Sequence, residues 1–266
     1  MLRVISSLLT LVLFYFSFSA KAVEDFPARK EFKDIPIYEI NQLHNNFDKV
    51  VIVDVRSHYE YNTLHINGAL NIPVALEDFE QQVAKLRSTT NKPIAFYCNG
   101  HTCHKSYIAV KKAKKANIKD TFAYDAGIFD WARAYPQLTT LLGKSPINVK
   151  DLIDKKEHKA RFLDPNTFST RAWDDKSIVL DVRDKFQRAG VGFFPGKEYW
   201  ASLDEQKKIH RYLAKAIKEN KILYIYDETG KQVEWLQYLL QQEGVKNYYF
   251  MDKGATGYYN MLAKSH

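Results

Sequence analysis

The chain has 266 residues, 45% of them hydrophobic, and carries 39 basic against 31 acidic side chains for a formal charge of +8. That length is enough for two domains. The lysines are spread over expected helix faces without aromatic interleaving or dense clusters, so the charge reads as solvated surface, excluding a nucleic-acid binder while still favouring an anionic substrate.

Residues 1–22 read as a secretory signal peptide: Arg3 supplies the positive n-region, residues 4–18 the apolar stretch, and Ala20-Lys21-Ala22 a small-residue cleavage site before Val23. Its removal takes away Arg3 and Lys21 and no acid, so the charge falls by two, from +8 to +6. A periplasmic location follows, with no stable membrane association after cleavage. In residues 23–145, short apolar runs predict strands at 50–55, 69–72, 93–97 and 121–124. Amphipathic patterns predict helices at 38–46, 76–87, 104–116 and 127–134.

The loop between the third strand and the third helix, Cys98-Asn99-Gly100-His101-Thr102-Cys103-His104-Lys105, holds both cysteines of the chain. Pro93 opens the strand before it. In the helix after it Ala109, Ala113 and Ala116 share one face and four lysines the other. Cys98 therefore sits at a strand end, in a loop running into a helix N-terminus. Backbone N–H groups there favour an anion, and the thiolate is the nucleophilic form of cysteine. Asn99, Gly100 and Thr102 supply loop N–H groups, while His101, His104 and Lys105 add positive charge. Together they describe a reactive thiol open to solvent with room for a bound anion. A disulfide across so short a loop constrains the unfolded chain little, which points to a redox or catalytic pair rather than a staple.

A repeat sets the domain count. Lys49-Val50-Val51-Ile52-Val53-Asp54-Val55-Arg56 returns as Lys176-Ser177-Ile178-Val179-Leu180-Asp181-Val182-Arg183, and Tyr124-Asp125-Ala126-Gly127 as Met251-Asp252-Lys253-Gly254. Both are displaced by 127 residues. The seam falls near the Gly/Ser/Pro segment at 142–146. Residues 146–266 form the second copy, with strands expected at 177–182, 222–226 and 247–251 and helices at 204–219 and 231–242. Its strand end reads Tyr226-Asp227-Glu228, placing Asp227 where Cys98 stands. A carboxylate cannot do the chemistry of a thiol, so this copy is expected to act as a scaffold or recognition domain. The alternation of strands and helices predicts an α/β fold with covered parallel sheets, whose functional residues collect at C-terminal strand ends.

Asp54-Val55-Arg56, then Glu60 through His65-Ile66-Asn67-Gly68-Ala69-Leu70-Asn71-Ile72-Pro73, then Tyr97-Cys98 and its loop, then Gly127-Ile128 to Trp131 resemble the ordered signatures of the rhodanese (sulfurtransferase) family. The resemblance implies two rhodanese-like domains, each with a parallel sheet of about five strands flanked by helices. It also implies an enzyme in which Cys98 accepts sulfane sulfur from a small sulfur-containing anion or a persulfide donor and passes it to a thiol acceptor. No cofactor or metal is implied. Asp54 and Arg56 read as a structural pair. The loop lacks the arginine with which many members bind an anionic donor, and His104 stands where related phosphatases need arginine, so phosphate-ester hydrolysis is not expected. Cys103 is a candidate resolving thiol, able to form a disulfide with Cys98 by exchange. The alternatives are a thiol-disulfide redox protein, a Cu or Zn site made of Cys98, His101, Cys103 and His104, and a non-catalytic binding module.

Overall fold

The structure, a computed structural model, describes residues 26–190 and 192–264. The expected signal peptide lies outside them. Two compact units meet in the chain between Val149 and Lys150.

In the first unit the strands are β1 (Val51–Asp54), β2 (Leu64–Ile66), β3 (Leu70–Asn71), β4 (Ile94–Tyr97), β5 (Thr121–Tyr124) and β6 (Thr139–Leu141). The main sheet is all parallel in the order β3-β1-β4-β5. Its apolar runs are those of strands covered on both sides: every residue of β4 is fully buried. A fifth strand is reduced to one bridge, Ile37 to Ala123, because Pro36 has no N–H to extend the ladder. The four expected helices are present as Ile40–Asn45, Phe79–Thr89, Lys105–Lys115 and Gly127–Ala134. The antiparallel β2–β6 ribbon went unread, since three residues centred on His65 give no apolar run.

In the second unit the strands are β7 (Phe162–Leu163), β8 (Ser177–Asp181), β9 (Glu198–Trp200), β10 (Ile222–Tyr226) and β11 (Tyr248–Met251). They form one parallel sheet in the order β7-β11-β10-β8-β9. The expected helices appear as Gln206–Lys218 and Val233–Gln242, and a further one, Gly254–Lys264, follows β11.

The central strand pairs share one register. Asp54 of β1 lies beside Tyr97 of β4, and Asp181 of β8 beside Tyr226 of β10. The next residues, Cys98 and Asp227, therefore emerge at the same point of their sheets. Each sheet rests on its own core, built around Phe79, Phe96, Tyr107 and Val110 in the first unit and around Phe168, Phe194, Tyr226 and Met251 in the second.

Candidate active site

Cys98 opens the loop after β4, and Lys105 begins the following helix. The loop is held at both ends. The carbonyl of Cys98 accepts from Ile128 N–H at 3.0 Å, and Cys103 N–H donates to the Gly100 carbonyl at 2.6 Å. Two glycines make the close approach possible. Gly127 has φ +70°, and a Cβ there would collide with the backbone of Asn99 and Gly100; Gly100 has φ +140°, and its Cβ would lie 2.8 Å from Ala126 O.

Cys98 and Cys103 are joined by a disulfide, with Cα atoms 6.5 Å apart. Cys98 has no exposed surface, whereas Cys103 is partly exposed. This corrects the expectation of a Cys98 open to solvent: with the bridge formed, the loop closes over Sγ, which faces the core. It lies 3.8 Å from Ser106 Oγ and 3.5 Å from Cys103 O.

The expected cations of the loop each have an acidic neighbour. Lys105 Nζ lies 3.6 Å from a Glu60 carboxylate oxygen. His101 Nε2 is 2.8 Å from Asp130 Oδ2, with its ring stacked on Phe26. His104 Nδ1 is 3.9 Å from Glu31 Oε2, with its ring edge-on to Phe32. Each basic group foreseen for the loop thus has a carboxylate close by. Asn99 sits between two buried groups, its Oδ1 accepting from Arg56 Nη1 at 3.3 Å and its Nδ2 donating to Glu60 Oε1 at 3.4 Å. Thr102 is exposed at the loop tip. Glu60, only 6% exposed, also caps the helix His58–Thr63 with Ser57. Burial works against its charge, but Lys105, Arg56 and the Ser57 donors outweigh it and hold the carboxyl below its ordinary range.

Asp54 and Arg56 are fully buried and form a two-point pair, with Nε donating to Oδ1 at 2.9 Å and Nη2 to Oδ2 at 2.5 Å. Nη2 also donates to Leu64 O at 2.6 Å. The pair therefore ties the β1 end to the β2 entry, and through Asn99 to the cysteine loop. His65 is held by Tyr61, through its carbonyl and ring. Glu60 enters the sequence reading only as the start of the second family signature, and Ser106 and Asp130 enter it with no role. The Ser57-x-x-Glu60 spacing is a capping-box signal that was available for the first.

The second unit repeats this plan with different chemistry. Arg183 and Asp181 form the same buried pair, with Nε to Oδ1 at 3.0 Å and Nη2 to Oδ2 at 2.8 Å. Arg183 Nη1 lies 3.9 Å from Glu228, the counterpart of Asn99. Ala255 N–H donates to Asp227 O at 2.8 Å, matching Ile128 and Cys98. The Asp227 carboxylate, 1% exposed, accepts from the N–H groups of Thr229 at 2.9 Å, Gly230, Gln232 and Val233 at 3.1 Å. Burial pushes this carboxyl up, against the pull of the four donors. Among the described residues no group of three or more His, Cys, Asp or Glu side chains is arranged to hold a metal ion. His101 and His104 face Asp130 and Glu31 instead of sharing a centre with the sulfurs.

A family model for the rhodanese-like domain matches residues 39–134 and again 164–261. The chain belongs to the rhodanese-like family. Both rhodanese-like domains thus lie in the α/β units described above, one around the cysteine loop and one around Asp227. The chain is 37% identical over 86 residues to an HTH-type transcriptional regulator of Mycobacterium tuberculosis, covering 32% of this chain and 36% of that protein. It is 30% identical over 122 residues to the tRNA uridine(34) hydroxylase of Salmonella newport, covering 44% of this chain and 31% of that one. The chain therefore matches only about a third of the length of these curated relatives. Among solved structures, a thiosulfate sulfurtransferase from Pseudomonas aeruginosa is similar at 20% identity and a TM-score of 0.38, over 87% of this chain and 46% of that one. A human single-domain sulfurtransferase is similar at 22% identity and a TM-score of 0.32, over 37% of this chain and 96% of that one.

Proposed function

We propose that this protein is an exported sulfurtransferase whose first rhodanese-like domain carries sulfane sulfur on Cys98, with Cys103 as the resolving thiol. The observation that carries the reading is the juxtaposition of the two sulfurs in a strand-end loop, in a chain whose second copy offers no thiol. In the reduced protein the Cys98 thiolate attacks the outer sulfur of a persulfide donor R–S–SH, forming the Cys98 persulfide and releasing R–S⁻. The Cys103 thiolate then attacks Sγ of Cys98. The bond to the outer sulfur breaks, hydrosulfide leaves with the electron pair, and the Cys98–Cys103 disulfide forms. The bridge is in this account the end state of one turnover.

A persulfide suits this loop better than thiosulfate, because Lys105, His101 and His104 are each matched by a carboxylate and leave little charge for a dianion. Export rests on the signal-like residues 1–22 and is tested by sequencing the N-terminus of the secreted form, which should begin at Val23. Sulfur transfer is tested by mixing fully reduced protein with cysteine persulfide in the absence of other reductant. One hydrosulfide per chain should appear together with the loss of two free thiols. Persulfide consumption without thiol loss would leave Cys103 no part in release. No consumption at all would remove the sulfurtransferase reading and favour the thiol-disulfide one, which the bridge also supports.

A further inference from the structure

The two sulfurs of the bridge are not equivalent, and their inequality determines how the bridge can be reopened. Thiol-disulfide exchange requires an entering thiolate to reach one sulfur in line with the S–S bond while the other departs as thiolate. Cys98 has no exposed surface, and its Sγ faces Ser106 and the core beneath the loop. Cys103 is partly exposed, flanked by exposed Thr102 and His104. Access therefore favours attack at Cys103 over Cys98. The leaving side agrees: Cys98 stands at the strand end and the Ser106 hydroxyl lies 3.8 Å from its Sγ. The matched position of the second domain sets a carboxylate against four backbone N–H groups. A strand-end loop of this fold can thus turn N–H donors onto its first side chain, as it does in the second domain, and the better-stabilised thiolate is the better leaving group.

We propose that the bridge is reduced by a dithiol that enters at Sγ of Cys103 and expels Cys98, so that a dithiol electron donor is the second substrate of this site. In the first step a dithiol thiolate bonds to Sγ of Cys103, and the S–S electron pair leaves on Cys98. In the second, the donor's other thiolate attacks its own sulfur in the mixed disulfide, closing the donor's disulfide and releasing Cys103 as thiolate. Two electrons pass from donor to protein and the donor's two thiol protons are given up. A monothiol makes only the first step efficiently, because Cys98 stands next to the mixed disulfide and reverses it. This inference rests on the sulfur-transfer reading for how the bridge arises during turnover, but not for how it opens.

The experiment uses the oxidised full chain and no sulfur donor, so it stands apart from any test of persulfide loading. Oxidised protein is mixed with glutathione, quenched with acid within seconds, and the glutathionyl group is located by peptide fragmentation. It should lie on Cys103, with at least about a tenfold excess over Cys98, as leaving-group and access preferences of exchange allow. A glutathionyl group on Cys98, or equal amounts on both, overturns the proposal. Dithiothreitol and thioredoxin are then compared at equal dithiol concentration. Faster opening by thioredoxin assigns the donor as a protein dithiol, and faster opening by dithiothreitol as a small one. If glutathione opens the bridge as fast as both, the requirement for a dithiol is wrong.

Discussion

The two strand-end loops of this chain start from one register, Asp54 beside Tyr97 and Asp181 beside Tyr226, and each is braced by a buried arginine that reaches the loop's second residue. They diverge in what occupies the first position. In the second domain a carboxylate is built into the loop and takes four backbone N–H groups for itself. In the first, a sulfur stands there, and the loop runs one residue longer before its helix, from Cys98 through His104 against Asp227 through Gln232. The difference teaches that the position is a property of the fold and the chemistry a property of one side chain. Where a carboxylate fills the loop the site is closed; where a sulfur stands there, paired with Cys103, a bond can be exchanged.

The widest separation between the domains should come from their first loop residues. Cys98→Ser should bring persulfide-dependent hydrosulfide release down by about a thousandfold or more, because a neutral hydroxyl is a poor nucleophile toward sulfur. Asp227→Asn should leave that rate within about twofold, as expected of a substitution outside the reacting loop. Loss of turnover in folded Asp227→Asn protein would break the division of labour.

A smaller contrast comes from the glycines that seat the loops, Gly127 at φ +70° and Gly254 at φ +53°. Alanine at either adds left-handed strain and a backbone clash, costing about 2–4 kcal/mol in the unit that contains it. Urea unfolding should show both losses. Only Gly127→Ala should also slow sulfur transfer, since its Cβ pushes on Asn99 and Gly100. Equal activity in the two variants would mean that loop placement does not govern the chemistry.

Asp227→Ala should cost the second unit about 2–3 kcal/mol, because several buried N–H groups lose their acceptor, and Asp227→Asn should cost less because one oxygen remains. If alanine is tolerated without loss in a denaturant titration, the carboxylate is not what holds the second loop.

The smallest effect is one of sign with pH. The folded carboxyl of Glu60 lies below its ordinary value of 4.5, so its contribution to stability is present above that pH and is lost as pH falls through the folded value. The folded carboxyl of Asp227 lies above its ordinary value of 3.8, so its contribution is fullest below that pH and declines as pH rises through the folded value. Stability measured from about pH 3 to pH 6 should therefore change in opposite senses in Glu60→Gln and Asp227→Asn relative to the parent. Parallel changes would contradict these local environments.

The repeat, the central strands and the cysteine position were legible because they are carried by local signals: apolar runs such as Val51–Asp54 and Ile94–Tyr97, and identical offsets between motifs. The β2–β6 ribbon and β7 and β9 were not, since strands of two or three residues leave no periodicity. At the site, the loop and both thiols were readable, but the direction in which Cys98 points was not. That direction depends on Ser106 and a core assembled from distant segments. The neutralising partners Glu60, Asp130 and Glu31 come from three separate elements, so a count of basic residues in the loop overstated its charge.

The central claim, that one sulfur of this loop is a carrier, is tested most directly by the intact mass of fully reduced Cys103→Ser protein after exposure to cysteine persulfide. The account predicts a gain of one sulfur atom per chain, located on the peptide containing Cys98, stable until a thiol or cyanide is added. No mass gain in folded protein, or a gain that survives Cys98→Ser, would contradict it.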